Sequence, residues 1–339
     1  HLAEKWGWDE AATDYREVIA RDDIDIVDIV TPGDTHAEIA IAALEAGKHV
    51  LCEKPLANTV AEAQQMAKAA DAAAGSGARA MVGFTYRRVP AATFARDLVR
   101  EGFVGTVRHV RAEYLQDWLS DPETPLTWRM QKDKAGSGSL GDIGAHAIDL
   151  AQFITGETVD SVSGTLETFV KERPLLGEKV GLGGTASADR GAVTVDDAAV
   201  FTARLSGGGL GSFTATRYAT GRKNGLRVEV SGDRGAISFD LEDMNRLGVY
   251  DATAPGDRQG FTDVIVTEPV HPYTAAWWPA GHMLGYEHAF THQVHDLIVA
   301  IAAGEQPTPS FADGWQVQRV LDAVERSALS GSAWTSTAS

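Results

Sequence analysis

Three side chains have the chemistry and the setting for acid–base work. Lys54 lies in "HVLCEKPLA", His49 to Ala57, where a hydrophobic run of strand character ends abruptly in Glu53, Lys54 and Pro55. Asp142 and His146 lie four residues apart in "GSLGDIGAHAID". On a helix that spacing puts both on one face, with Ile143, Ala147, Leu150 and Ile154 as the apolar stripe beside them. A carboxylate there can orient the imidazole and raise its basicity, which a general base needs. Each feature also has a plainer reading, since Glu-Lys after a strand makes an ordinary solvated turn and Asp–His pairs occur in many helices. Brought into one cleft, an ammonium and an imidazole would suit removal of a hydroxyl proton with a cation beside the developing alkoxide.

The elements that must position them follow a rhythm. Between Ile24 and Phe84, "IDIVDIV", "KHVLCE" and "ARAMVGF" read as buried strands, separated by the helical patterns "THAEIAIAALEAG" and "VAEAQQMAKAADAAAG", the second capped by Asn58 or Thr59. Strands alternating with helices imply right-handed βαβ units and a doubly wound, Rossmann-type parallel sheet of α/β class. In such sheets ligands bind beyond the carboxyl ends of the strands. The first strand ends in "TPGDTH" and the second in "CEKP", so Thr31, Pro32, His36, Glu53, Lys54 and Pro55 are the candidate cofactor contacts. After the helix "PAATFARDLVREG" and Gly105 the pattern changes to short alternating segments divided by Gly, Asp and Asn turns. These predict a largely antiparallel open sheet in an α+β domain. The expected division is a dinucleotide-binding domain over 1–103 and a substrate-binding and oligomerisation domain over 104–339. Residues 173–196 read as a long loop and the tail after Gly331 as frayed.

The bulk properties narrow the function classes. The chain has 339 residues, 44% of them hydrophobic and 23% charged, enough for two cores, and no apolar run long enough for a membrane span. Thirty basic against 47 acidic residues give a formal charge of -17, which repels phosphate backbones and argues against nucleic acid as a partner. The single cysteine, Cys52, excludes an intrachain disulfide and fits a reducing cytoplasm; inside an apolar strand it reads as a small core residue. "HMLGYEHAFTHQVHD" places His288 and His292 at the spacing of a helical metal pair, but the acid of the H-E-x-x-H motif is absent, and no metal is expected. The loop "YLQDWLSDPETPLTWRM" supplies Trp118 and Trp128 to lie against apolar sugar faces, and Gln116 and Arg129 to bond hydroxyls.

Taken in order, "TPGDTHAEIAIAALEAGKHVLCEKPLA", "GFTYRRVPA" and "GSLGDIGAHAID" resemble the Gfo/Idh/MocA family of nicotinamide-dependent sugar and inositol dehydrogenases, over nearly the whole chain. The resemblance implies a dehydrogenase that oxidises a secondary hydroxyl of a sugar or anhydro-sugar with NAD, NADP being the alternative cofactor. "YLQDW", "DPETPLTWR", "AGSGSLGD" and "PSFADGWQV" are most similar to members acting on the C3 hydroxyl of an anhydro-sugar. It also implies roles by position: Lys54 as the active-site lysine, Asp142 and His146 as the helix-borne pair, Glu53 on the cofactor ribose, and Tyr86, Gln116, Trp128 and Arg129 around the substrate. Gly33-Asp34 departs from the family's frequent Asn. An inositol dehydrogenase or a sugar-ketone reductase could use the same residues, and a non-catalytic sugar or cofactor sensor is the rival of another class. No G-x-G-x-x-G follows a strand upstream of Ile24, so the first βαβ unit of the dinucleotide fold is expected to be missing from this sequence; "GLGGTA" from Gly181 has the wrong context. An open sheet face implies a homodimer or homotetramer.

Overall fold

The apolar runs fold as their periods dictate. A computed structural model describes residues 2–180 and 183–338. Two short helices, α1 (Leu2–Trp6) and α2 (Tyr15–Ile19), precede strand β1 (Ile26–Ile29). Helix α3 (His36–Glu45), β2 (His49–Cys52), α4 (Val60–Ala74), β3 (Ala80–Val82) and α5 (Pro90–Arg100) follow. The three strands pair in parallel in the order β1-β2-β3. Val50, Cys52, Ala80 and Val82 are all but inaccessible, as expected of strands covered on both faces. Thr59 caps α4: its hydroxyl accepts from the Glu62 amide while Glu62 reaches back to the Thr59 amide, a reciprocal capping box.

The second sheet begins with β4 (Val107–Leu115). After it come α6 (Lys132–Ala135), α7 (Ala145–Thr155), β5 (Val159–Glu167), β6 (Glu172–Val180), β7 (Gly183–Ala192), β8 (Ala198–Leu205) and β9 (Leu210–Thr216). The chain continues through β10 (Gly225–Gly232), β11 (Gly235–Asp240), β12 (Arg246–Asp251), β13 (Thr262–Ile265), α8 (Tyr286–Ala303), α9 (Phe311–Leu329) and β14 (Thr335–Ser336). Nine strands form one sheet in the order β13-β12-β11-β10-β4-β9-β8-β5-β14. Only β4 and β9, near its middle, run in parallel. Along β8 the residues Ala199, Phe201, Ala203 and Leu205 are buried while Val200, Thr202 and Arg204 point outward, the alternation of a sheet with one covered face. Helix α9 closes back onto the first sheet: a Cβ on Gly314 would lie 2.8 Å from Leu56 and 3.0 Å from Val82, so only glycine permits that approach.

Two expectations are corrected. Within 173–196 most of the described residues are strand: β6 and β7 pair antiparallel as a separate hairpin, whose scattered glycines and acids hide the alternation that marks a strand. The tail is not frayed, because β14 pairs with β5 and the Thr337 hydroxyl donates to the Val159 carbonyl at 2.9 Å. Strand β13 was not anticipated either. Gly181 and Leu182 of "GLGGTA" lie outside the described residues. No helix among the described residues is long and apolar enough to cross a membrane.

One buried ion pair ties the two sheets together. Arg87, in the turn after β3, makes a two-pronged bond to Asp149 on α7, Nε to Oδ2 at 2.9 Å and NH2 to Oδ1 at 2.5 Å; both side chains are buried. Arg87 NH2 also lies 3.5 Å from the partly exposed Asp313, so removing Asp149 leaves the buried guanidinium only its weaker partner. Asp149→Asn should therefore cost about 3–5 kcal/mol in chemical unfolding, whereas Arg87→Met combined with Asp149→Leu should recover most of the loss. A single variant as stable as the wild type would show that the pair does not hold this junction.

Candidate active site

The carboxyl ends of β1 and β2 are stitched by backbone and side chain before any functional group is placed. The Glu53 amide donates to the Ile29 carbonyl at 2.9 Å. The His36 ring lies between the two strand-end loops, Nε2 2.9 Å from the Thr31 carbonyl and Nδ1 3.1 Å from that of Pro55. His36 is buried and shapes the wall of the cleft between these two carbonyls. Thr31 is exposed at the rim with Pro32 beside it. Glu53 curls back so that Oε2 accepts from the Lys54 amide at 3.1 Å. Pro55 follows on a cis peptide.

Lys54 crosses to the second sheet's helix. Its Nζ donates to the Asp142 carbonyl at 2.6 Å and lies 3.2 Å from Asp142 Oδ1. The other carboxylate oxygen, Oδ2, accepts from Arg217 NH2 at 2.9 Å. Burial alone would raise the pKa of Asp142, but the Lys54 ammonium and the Arg217 guanidinium outweigh it and hold the carboxyl well below the usual range. Asp142 is thus a fixed anion between two cations.

Among the described residues the Asp142 carboxylate bonds Lys54 and Arg217 and makes no hydrogen bond to His146. Leu140–Gly144 runs as a π-helical turn before α7. Asp196 holds this turn, accepting from the Gly138 and Leu140 amides at 2.7 and 2.8 Å and from the Ser139 hydroxyl at 2.7 Å. A Cβ on Gly138 would fall 1.8 Å from the Asp196 carbonyl oxygen, so glycine is required there. His146 instead sits among rings, 4.5 Å from the centroid of Tyr86 and 5.9 Å from those of Phe84 and Tyr114. Burial, with the nearby Lys54 charge, pushes its pKa well below the ordinary histidine value, against a smaller opposing pull from Asp142. The imidazole is therefore neutral at neutral pH.

A hydrogen-bonded chain lines the far side. The Tyr86 and Tyr114 hydroxyls are 2.7 Å apart, Tyr114 donates to Asn224 Oδ1 at 2.6 Å, and Gln116 Nε2 donates to the same oxygen at 3.0 Å. Gln116 Oε1 in turn accepts from the Trp118 indole at 3.0 Å. Tyr86 also lies 3.5 Å from the Tyr286 hydroxyl. Burial raises the pKa of both Tyr86 and Tyr114, so they are hydroxyls and not phenolates. A cavity of about 340 Å³ is bounded by Trp118, Thr124, Pro125, Thr127, Arg129, Met130 and Asp142. A smaller one, about 50 Å³, lies against Thr31, His36, Lys54, Pro55, Asn58 and Trp128. The two share Arg129 and Asp142.

Thus Lys54, Asp142, Trp128, Arg129 and the loop at Thr31 border one pair of cavities, and His146 packs against Tyr86. Arg217, Tyr114, Asn224, Asp196 and Tyr286 escaped the sequence reading. The only signal for Arg217 was a cation directly after strand β9, which resembles any charged strand end. Asn58, on the wall of the smaller cavity, keeps a buried Oδ1 with no hydrogen-bond partner among the described residues, an acceptor that fits a hydroxyl or carboxamide N–H of a dinucleotide. His292 is structural, taking the Trp277 indole N–H on Nε2 at 2.7 Å with Nδ1 3.0 Å from the Arg88 carbonyl. Cys52 is buried and its thiol pKa is raised by burial.

Comparison with known proteins identifies the family. Residues 1–84 match the oxidoreductase family with an NAD-binding Rossmann fold, and residues 93–238 match the Gfo/Idh/MocA C-terminal domain. Levoglucosan dehydrogenase of Pseudarthrobacter phenanthrenivorans is 43% identical over 330 residues, 96% of this chain and 83% of that protein. The chain belongs to the Gfo/Idh/MocA oxidoreductase family. Among solved structures of the family, an oxidoreductase domain protein from Kribbella flavida superposes with a TM-score of 0.94 at 63% identity, over 99% of this chain and 86% of that one. A levoglucosan dehydrogenase in complex with NADH and levoglucosan gives 0.91 at 42% identity, over 100% and 87%.

A histidine kept neutral in the folded state leaves a signature. As pH falls below the ordinary histidine value, the unfolded chain takes up a proton that folded His146 refuses, so its contribution to stability is present at pH 7 and lost on acidification. Relative to His146→Phe, which suits the aromatic surroundings, the wild type should lose stability between pH 7 and about pH 5. A difference that does not change with pH would contradict the assignment.

Proposed function

We propose that this chain is an NAD-dependent dehydrogenase that oxidises the C3 hydroxyl of levoglucosan or a closely related anhydro-sugar. The observation that carries the reading is the Lys54 ammonium, fixed by Asp142 where the strand-end cavity meets the larger one beneath Trp118 and Arg129. The levoglucosan dehydrogenase relative supports the choice of substrate. NAD, when bound, supplies the acceptor for the hydride that leaves the substrate carbon. Neutral His146 takes the hydroxyl proton on a ring nitrogen, and Lys54 donates a hydrogen bond to the same oxygen, stabilising its alkoxide character. Asp142, paired with two cations, stays ionised and keeps Lys54 aimed. Glu53 holds the cofactor ribose and Thr31, Pro32 and Pro55 line its loop, while Tyr86, Gln116, Trp128 and Arg129 contact the sugar. Residues 1–103 act as the dinucleotide-binding unit and 104–339 as the substrate-binding unit. The uncovered face of the nine-stranded sheet joins subunits in a homodimer or homotetramer, and the enzyme works in the cytoplasm.

The test is turnover of levoglucosan with NAD. Lys54→Ala and His146→Ala should each lower kcat by about 100-fold or more while leaving NAD affinity within about threefold of the wild type. Near-normal turnover in both variants would contradict the roles. A wild-type chain that binds levoglucosan and NAD in calorimetry without turning over would establish the sensor instead.

A further inference from the structure

Arg217 is a buried cation beside the site, about 1% exposed, and its guanidinium touches several separate parts of it. NH2 donates to Asp142 Oδ2 at 2.9 Å and to the Gly138 carbonyl at 3.0 Å. NH1 is 3.4 Å from the Arg129 carbonyl. The guanidinium carbon lies 5.3 Å from the centre of the Trp118 ring, within cation–π range. Its own carbonyl accepts from the Leu119 amide at 3.3 Å. One planar group therefore reaches the carboxylate that aims Lys54, the glycine turn before α7, and both ends of the aromatic loop over the larger cavity.

We propose that Arg217 is a positioning residue that couples the seating of the aromatic loop to the Lys54–Asp142 pair, so that the sugar pocket and the reactive ammonium are set by one side chain. The inference rests on the dehydrogenase reading above. Arginine suits the task because its fork presents several donors in a fixed plane and its face can stack on an indole, and a lysine could satisfy only part of this geometry. The loop has an independent hold on its outer side. Buried Arg173 of β6 donates to the carbonyls of Leu119 and Asp121, each at 2.7 Å, so loss of Arg217 leaves the loop tethered but unregistered. The coupling then has two signatures. The sugar's KM rises because Trp118 loses the cation beneath it, and kcat falls because Asp142, bonded only to Lys54, no longer fixes the ammonium.

The experiment compares wild type, Arg217→Met, Arg217→Lys, Trp118→Leu and the Arg217→Met/Trp118→Leu pair in the NAD-loaded enzyme. Arg217→Met should lower kcat by about 100-fold, as a misplaced reacting group does. Arg217→Lys should recover part of kcat but little of the KM, and the double variant should show less than the product of the single effects. A second measurement needs no turnover: the Asp142 carboxyl titration, followed by NMR and assigned with Asp142→Asn. Lys54, Arg217, Arg129, Tyr114 and His146 are the charged and titratable groups around that carboxylate. Removing Arg217 should move its midpoint upward, and methylguanidine should shift it back. An active wild type whose Arg217→Met variant keeps kcat and KM within twofold, or an Asp142 midpoint that does not move, overturns this inference alone. A wild type that oxidises no sugar overturns the dehydrogenase reading instead, and the titration still decides the role of Arg217. If Arg217→Met does not fold, Arg217→Lys and Trp118→Leu carry the test, and independent, fully multiplicative effects in those two would reject the coupling.

Discussion

The site depends on one carboxylate holding two cations from different parts of the chain. Lys54 arrives from the end of the parallel sheet and Arg217 from the end of β9, and Asp142 gives each a separate oxygen. Unpaired, any of the three charges would be costly so close to the core. Paired, they fix the relative placement of the two sheets' reactive edges. The Arg87–Asp149 pair, one layer deeper on the same helix, secures that junction, and Asp196 fixes the turn that presents Asp142.

The same constraint divides the chemistry between side chains. Asp142 is saturated by cations and stays an anion, while His146 is surrounded by rings and stays neutral. Environments that differ this sharply across four residues allow one group to hold charge and the other to move a proton.

Much of this was legible from sequence. The alternation of β-branched strands with capped helices identified the parallel sheet, and the rule that ligands bind at carboxyl ends singled out Thr31, Glu53 and Lys54. What the sequence concealed was long-range or irregular. Four-residue spacing implied an Asp142–His146 contact, but it could not show that Lys54 and Arg217, distant in sequence, take both carboxylate oxygens. Arg217, Tyr114 and Asn224 lie on strands or strand ends whose alternation explains them as ordinary, and only the fold brings them beside positions 142, 86 and 116. The β6–β7 hairpin was hidden by glycines and charges that a solvent-exposed ribbon tolerates. Gly33-Asp34, which departed from the family pattern, has a local explanation in the structure: Asp34 pairs with Lys134 at 2.9 Å and so braces α6 at the cavity edge.

The central claim is that Lys54 and His146 converge on one substrate oxygen. A crystal structure of this protein with NADH and levoglucosan tests it most directly. The account predicts Lys54 Nζ and a ring nitrogen of His146 both within about 3.2 Å of the C3 hydroxyl oxygen, with the Asp142 carboxylate still bridging Lys54 and Arg217. A sugar bound with that hydroxyl out of reach of either group, or an Asp142 released from Lys54, would contradict it.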